Sequence, residues 1–252
     1  MMKSAQKEAP LRICFVSFEY PPSIVGGAGV YAKCLCQELA KLGHEVHVIS
    51  SGADRFLTSS LEDGVFVHRI PVLNKPFFSI PSYWLRLRIY FKILDKETGG
   101  FDLVHGNVTS DFSLTRSVVK VPRVVTIHHL AHTTFEVTNP SFLEMLRNPE
   151  GEVGLLSWVE KKLIDFDKRV ISKADKIIVV SNFVKHTLVN TYHVPAQKVY
   201  VIYDGIYPEA YKCSEKEKLE IKNQLGITNE TTILFVSRLE KRKGLPLLIK
   251  AF

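Results

Sequence analysis

Cysteine is scarce in this chain, with four in 252 residues: Cys14, Cys34, Cys36 and Cys213. No C-x-x-C spacing occurs, and Cys34 and Cys36, two apart in a helical pattern, do not face each other. That argues against a cysteine-based metal site, and the thiols read as small apolar groups in a reduced compartment. Also missing is any apolar run of the ~18–20 residues that a membrane span needs. The opening MMKSAQKEAP has no apolar stretch of the secretory kind. Residues 1–10 therefore read as a disordered N-terminus, and the chain as cytoplasmic. Aromatics are not interleaved with the basic clusters Lys161-Lys162, Lys168-Arg169 and Lys241-Arg242-Lys243, and no nucleic-acid motif appears. The formal net charge of +7 is thus read as a solvated basic surface or a site for a phosphorylated ligand, with no nucleic-acid partner.

What is present is an ordinary globular composition, 46% hydrophobic and 23% charged, in a chain long enough to bury a large core. Short apolar runs alternate with helix-period segments. Strands are expected at Leu11–Phe18, Glu45–Ile49, Val65–Ile70, Asp102–His105, Arg123–Ile127, Lys176–Val180 and Val199–Tyr203. Helices are expected at Val30–Leu42, stopped by Gly43, at Ser82–Lys96, within Thr138–Ser172, and at Phe183–Val189. Strands that are apolar throughout are covered on both faces. The fold class is therefore α/β, a Rossmann-like doubly wound parallel sheet spanning 11–210. The pattern then changes. A charged helix from Cys213 to Gly226 opens with the capping-box pair Ser214 and Glu217. A fresh strand, Thr232–Val236, and a helix from Leu247 follow. Residues 211–252 thus read as a linker helix and the first strand–helix pair of an incomplete second Rossmann-like domain.

Ligands of open α/β sheets bind beyond the carboxyl ends of the strands. After the first strand, Gly27-x-Gly29-x-x-Ala32 matches a dinucleotide fingerprint in letters only. Eight residues, Glu19–Gly26, separate it from the strand, and no acidic residue ends the second strand. What remains is a glycine-bearing helix start at Gly26, Gly27 and Gly29 that an anion or sugar can approach. Arg238 follows a strand and Lys243 precedes a helix, a pairing that can clamp a diphosphate or simply form a solvated basic turn. His128, His129 and His132 cluster after the Arg123–Ile127 strand, without an H-E-x-x-H arrangement. His128, nearest the strand end, is the candidate for contact with a ligand.

Six segments resemble, in order, the retaining GT-B glycosyltransferases of family 4, the glycogen-synthase-like group: PPSIVGGAGVYAKCLCQELAKLGHEVHVIS (Pro21–Ser50), FDLVHGN (Phe101–Asn107), VVTIHHL (Val124–Leu130), ADKIIVVSNFVKHTL (Ala174–Leu188), KVYVIYDGI (Lys198–Ile206) and ILFVSRLEKRKGLPLLIKAF (Ile233–Phe252). The resemblance implies two Rossmann-like domains across a cleft, with the acceptor on the N-terminal side. It implies transfer of a sugar from a nucleotide-diphosphate sugar to a carbohydrate or lipid-linked acceptor, with retention of configuration. In that scheme Gly26 and Gly27 admit the donor phosphates. Arg238 and Lys243 neutralise the diphosphate leaving group, and His128 is the catalytic contact to the donor sugar. Glu19, Tyr20 and His129 fall on the acceptor side. No cofactor and no metal are expected, because cationic side chains and helix N-termini serve instead. The chain departs from the family pattern at Ser237, Asp204-Gly205 and Tyr207, and the family's paired glutamates would lie past residue 252. The chain alone is therefore expected to be inactive. Two alternatives stay open: a GT-B nucleotide-sugar epimerase, and a non-enzymatic glycan- or lipid-binding half of a split protein. Finally, Tyr83–Leu94, with Trp84, Tyr90 and Phe91 beside arginines and a lysine, is either a core helix with a basic outer face or a peripheral contact with an anionic membrane.

Overall fold

The computed structural model describes residues 9–23, 26–73, 78–130, 162, 164–227, 231–237, 239 and 243–252. Apolar, β-branched runs form β1 (Arg12–Val16), β2 (Glu45–Gly52), β4 (Val65–Pro71), β5 (Leu103–Asn107), β6 (Arg123–Ile127), β7 (Lys176–Val179) and β8 (Val199–Val201), with β3 (Thr58–Glu62) between β2 and β4. They make one sheet in the order β3-β4-β2-β1-β5-β6-β7-β8. Every pairing is parallel except β3 with β4. The chain winds to one side of β1 and then to the other, so the order reverses between β1 and β5, where such sheets open a crevice. The doubly wound α/β architecture read from the sequence is the one observed.

Three apolar clusters hold the layers together. Beneath α1 (Gly27–Lys41), Ala32 and Cys36 pack on Phe15, Val46, Val48, Val65 and Val67. On the opposite face, Tyr83, Leu87 and Phe91 of α2 (Ser79–Glu97) pack on Cys14, Val16, Ile49 and Ile70. At the far side, Val170 and Ile171 of α3 (164–171) join Val184 and Leu188 of α4 (Asn182–Asn190) over Val125, Ile177 and Val179. The helix stops follow local chemistry. Gly43 sits at φ +96° after α1, with His44 N–H donating to Leu39 C=O (3.1 Å) and Gly43 N–H to Ala40 C=O (2.9 Å), a Schellman motif that only a left-handed residue closes. Ser181 caps α4 by accepting from Val184 N–H (3.2 Å).

A buried ion pair fixes the turn after β5. The Arg123 side chain, fully buried, donates from Nε to Asp111 Oδ2 (2.6 Å) and from its Nη atoms to the carbonyls of Asp111 and Leu114. Asp111 lies directly on Gly106, where any Cβ would overlap its carboxylate.

Three differences from the sequence reading have physical causes. β3 is polar, with no alternation to betray it, but the Asp63-Gly64 turn that joins it to β4 has both residues at positive φ (51° and 82°), the two-residue hairpin geometry. Thr232–Val236, expected as a strand, is not in any sheet, and Leu234 and Val236 are each 83% exposed. A strand exists through its neighbours, and the eight-stranded sheet does not extend to this segment. So 211–252 supplies α5 (Glu215–Gln224), with the expected Ser214–Glu217 capping box, and α6 (Leu245–Ala251), without the expected strand. Residues 1–8 and most of Thr138–Ser172 lie outside the described residues. Among the described residues no helix is long and apolar enough to cross a membrane.

Candidate active site

Side chains alternate across a strand, so residues two apart share a face. That periodicity turns Phe15 and Ser17, His105 and Asn107, and Thr126 and His128 toward α1 at the carboxyl edge of β1, β5 and β6. Phe15 and His105 rings stand 4.8 Å apart there. Tyr31 reaches down from α1 to put its hydroxyl 3.0 Å from Thr126 Oγ1 and its ring edge-on to His128, centroids 4.6 Å apart. Thr126 Oγ1 also lies 2.8 Å from His105 Nε2. A layer of polar groups thus sits between the sheet edge and the first turns of α1.

Asn107 organises this layer. Its Nδ2 donates to Ser17 Oγ (3.0 Å) and to the Ala28 carbonyl (3.0 Å). Ser17 can accept because its own proton goes to the Glu19 carbonyl (2.6 Å). With both amide protons committed, Asn107 Oδ1 is an acceptor, and its 3.0 Å contact with His128 Nε2 requires the proton on that nitrogen. Burial lowers the pKa of His128; the Asp204 carboxylate opposes the shift and His129 adds to it. A neutral ring with its proton on Nε2 leaves Nδ1 as an acceptor. His105, buried below, is pushed down to about 4 by burial and by the neighbouring His128.

The glycines border this layer. Gly26 is the N-cap of α1 in extended conformation (φ −157°, ψ −169°), with no side-chain cap and no acidic residue in the first turn. Among the described residues, a Cβ built on Gly26 or Gly27 meets nothing within 4 Å. Neither left-handed backbone nor packing against the described residues calls for glycine at these two positions, and the helix start they form is open. Glu19 ties the loop down, its Oε2 accepting from Gly26 N–H (3.0 Å). Alongside runs a cavity of about 480 Å³ between α1 and the chain following β8, lined by Gly27, Tyr31, Glu38, Asp204 and Tyr207 among others. The Tyr207 hydroxyl donates to the Glu38 carboxylate across it.

Of the candidates from the sequence, His128, Gly26, Gly27 and Glu19 come together on this rim, with His129 exposed beside His128. Tyr20 is 2% exposed and packs in the cluster under α1, so it supports the loop from below. Lys243 is exposed just before Gly244, the N-cap of α6. Arg238 and His132 lie outside the described residues. Among the described residues no group of three or more His, Cys, Asp or Glu is arranged to hold a metal ion. Tyr31, Asn107 and Thr126 were not singled out from the sequence. Asn107 and Thr126 showed only as polar residues at the ends of the apolar strands LVHGN and RVVTI, which does not say which strands become neighbours, and Tyr31 on α1 had no such mark.

A doubly wound sheet with an open glycine-bearing helix start over a polar strand edge defines a Rossmann-like domain. Comparison with known proteins narrows it. A sequence profile described as Glycosyltransferase Family 4 matches residues 25–210, and the chain belongs to that family. It is 28% identical over 247 residues to an uncharacterized glycosyltransferase of Methanocaldococcus jannaschii, covering 96% of this chain and 59% of that protein. It is 27% identical over 248 residues to an alpha-maltose-1-phosphate synthase of Mycolicibacterium smegmatis, covering 96% and 57%. Among solved structures, sucrose-phosphate synthase from Thermosynechococcus elongatus superposes with a TM-score of 0.71 at 18% identity, over 96% of this chain and 59% of that one. An Anabaena protein in complex with UDP-glucose superposes at 0.62 and 17% identity, over 96% and 57%. The fold is thus the Rossmann-like GT-B unit. The chain spans less than three-fifths of the length of each of these proteins.

Proposed function

We propose that this chain is the acceptor-side domain, with the opening of the donor-side domain in 211–252, of a retaining glycosyltransferase that moves a sugar from a nucleotide-diphosphate sugar to a carbohydrate or lipid-linked acceptor. The observation that carries the reading is the oriented His128, neutral and held through Nε2 by Asn107, beside the glycine-bearing start of α1. That the Anabaena relative is in complex with UDP-glucose supports a nucleotide-sugar donor. In this reading His128 Nδ1 accepts a hydroxyl of the donor sugar, and Gly26 and Gly27 let the diphosphate approach the helix dipole. Arg238 and Lys243 offset the charge that builds on the diphosphate as the glycosidic bond breaks. Glu19 holds the loop and His129 lies on the acceptor side. No metal is assigned a role.

Transfer needs both sides of the cleft, so the 252-residue chain is expected to turn over little or no nucleotide sugar by itself. The test is a panel of nucleotide-diphosphate sugars offered to this chain and to the longest reading frame that contains it, with product configuration read by NMR. Retained configuration from the longer frame, lowered about 100-fold by His128→Ala, is the expected result. Robust turnover by the 252-residue chain would overturn its dependence on the second domain. Inverted product, or conversion of donor without acceptor, would overturn the reaction itself.

A further inference from the structure

The outer face of α2 is apolar where a surface helix is ordinarily polar. Its inner face is spent on the core through Tyr83, Leu87 and Phe91, while Trp84 and Tyr90 are half-buried. The aromatic residues singled out from the sequence as membrane-facing therefore belong largely to the packed side. What remains outside is a row at i, i+4 and i+8: Leu85 (74% exposed), Ile89 (57%) and Ile93 (46%). Arg88 and Lys92, one turn apart and both exposed, lie within the same strip. From Ser79 to Leu94 the helix holds no acidic residue.

The patch continues to both sides. Ile93 shares a depression with Leu57 from the segment before β3, next to Phe56, itself 74% exposed. On the other flank lies a groove of about 590 Å³, floored by Trp84 and Phe112 with ring centroids 4.7 Å apart, and rimmed by Arg88, Arg169 and Lys173. Apolar side chains in line with cations, with no carboxylate on α2 from Ser79 to Leu94 and Glu97 only at the far end of the depression, match a surface that is oily beneath a layer of negative charge.

We infer that the outer face of α2 is a peripheral docking surface for an anionic phospholipid bilayer. Leu85, Ile89 and Ile93 enter below the phosphates, and Arg88 and Lys92 lie at phosphate level. This contact stands without the transferase reading. If that reading also holds, the contact explains how a lipid-linked acceptor is delivered, because α2 starts at the ligand edge of the sheet. There Trp84 Nε1 donates to the Thr109 carbonyl (3.2 Å), two residues after Asn107.

The test is co-sedimentation of the 252-residue chain with vesicles of phosphatidylcholine alone and of phosphatidylcholine with 30% phosphatidylglycerol (roughly the anionic content that gives a polybasic face something to bind). Binding to the anionic vesicles alone is expected, weakened about tenfold or more by Leu85→Ser/Ile89→Ser/Ile93→Ser and separately by Arg88→Glu/Lys92→Glu. Lys216→Glu/Lys222→Glu, the same change of charge on distant α5, is expected to leave it within about twofold. Far-UV circular dichroism checks the fold, and the charge pair remains informative if the serine variant is unstable. No binding at low salt, or equal loss with the α5 pair, overturns the inference. So does a lipid-free dimer in sedimentation velocity that the serine variant dissociates, because the face would then belong to a second copy. Donor turnover is measured separately, so failure here leaves the transferase reading standing and the converse also holds.

Discussion

Two kinds of glycine separate packing from function at the level of single residues. Gly106 has no room: a methyl group there overlaps the Asp111 carboxylate, which Arg123 holds in place. Gly106→Ala is expected to cost about 3 kcal/mol or more, or to prevent folding, because a buried ion pair cannot yield without losing its partner. Urea denaturation checks it. Gly27 is the reverse case, with open space where its Cβ would be and a helical backbone. Gly27→Ala is expected to raise stability, by up to ~1 kcal/mol, while lowering donor turnover in the longer reading frame. Loss of stability would show that the glycine serves the fold. His128 offers a sharper test. Long-range ¹H–¹⁵N spectra at pH 7 are expected to show a neutral ring protonated at Nε2, and Asn107→Ala to release that preference. An imidazolium, or a proton on Nδ1, would remove the basis of the site.

Among the elements, the hairpin edge of the sheet carries an acid sensitivity. His47 on β2 and His68 on β4 are stacked with ring centroids 5.3 Å apart, and the Nδ1 of one lies 3.0 Å from the Nε2 of the other. Burial, with His47 adding to it, pushes His68 down to about 4; His105 is likewise held at about 4. Both are neutral in the folded chain, whereas the unfolded chain takes up protons near pH 6.5. Their contribution is therefore complete above about pH 6.5 and is lost as the pH falls toward 4. The loss is about 3 kcal/mol from His105 and less from the partly exposed His68. Denaturation midpoints at pH 7.5, 6 and 5 should fall in that order, and His68→Leu should flatten part of the slope. The same hairpin marks the limit of legibility. Apolar runs disclosed β1, β2 and β4–β8, whereas β3, Thr58–Glu62, has a polar sequence and an exposed position. Only the Asp63-Gly64 pair announces it. At the site, His128 and the glycines could be read from position after a strand, since ligand edges follow from topology. Asn107 and Tyr31 could not, because their roles depend on which strands become neighbours. The burial of Tyr20 could not be read for the same reason.

At the scale of the molecule, stability is concentrated before residue 200. Among the described residues beyond Val199 none is buried, and α5 is supported by its own capping box and ion pairs such as Lys218–Glu215 (2.5 Å). Limited trypsin digestion is expected to cut first within 212–222 and to leave a fragment ending near residue 211 with an unchanged melting temperature. A fall in that temperature would show that 212–252 braces the sheet. The segment that resisted its expected assignment has a consequence of its own. Thr232–Val236 is a β-prone, uncharged stretch whose Leu234 and Val236 lie in solvent. Identical chains brought to high concentration can stack such stretches on one another into cross-β ladders. Solutions of the 252-residue chain by itself should grow turbid with time and bind thioflavin T, and Leu234→Lys should keep them clear.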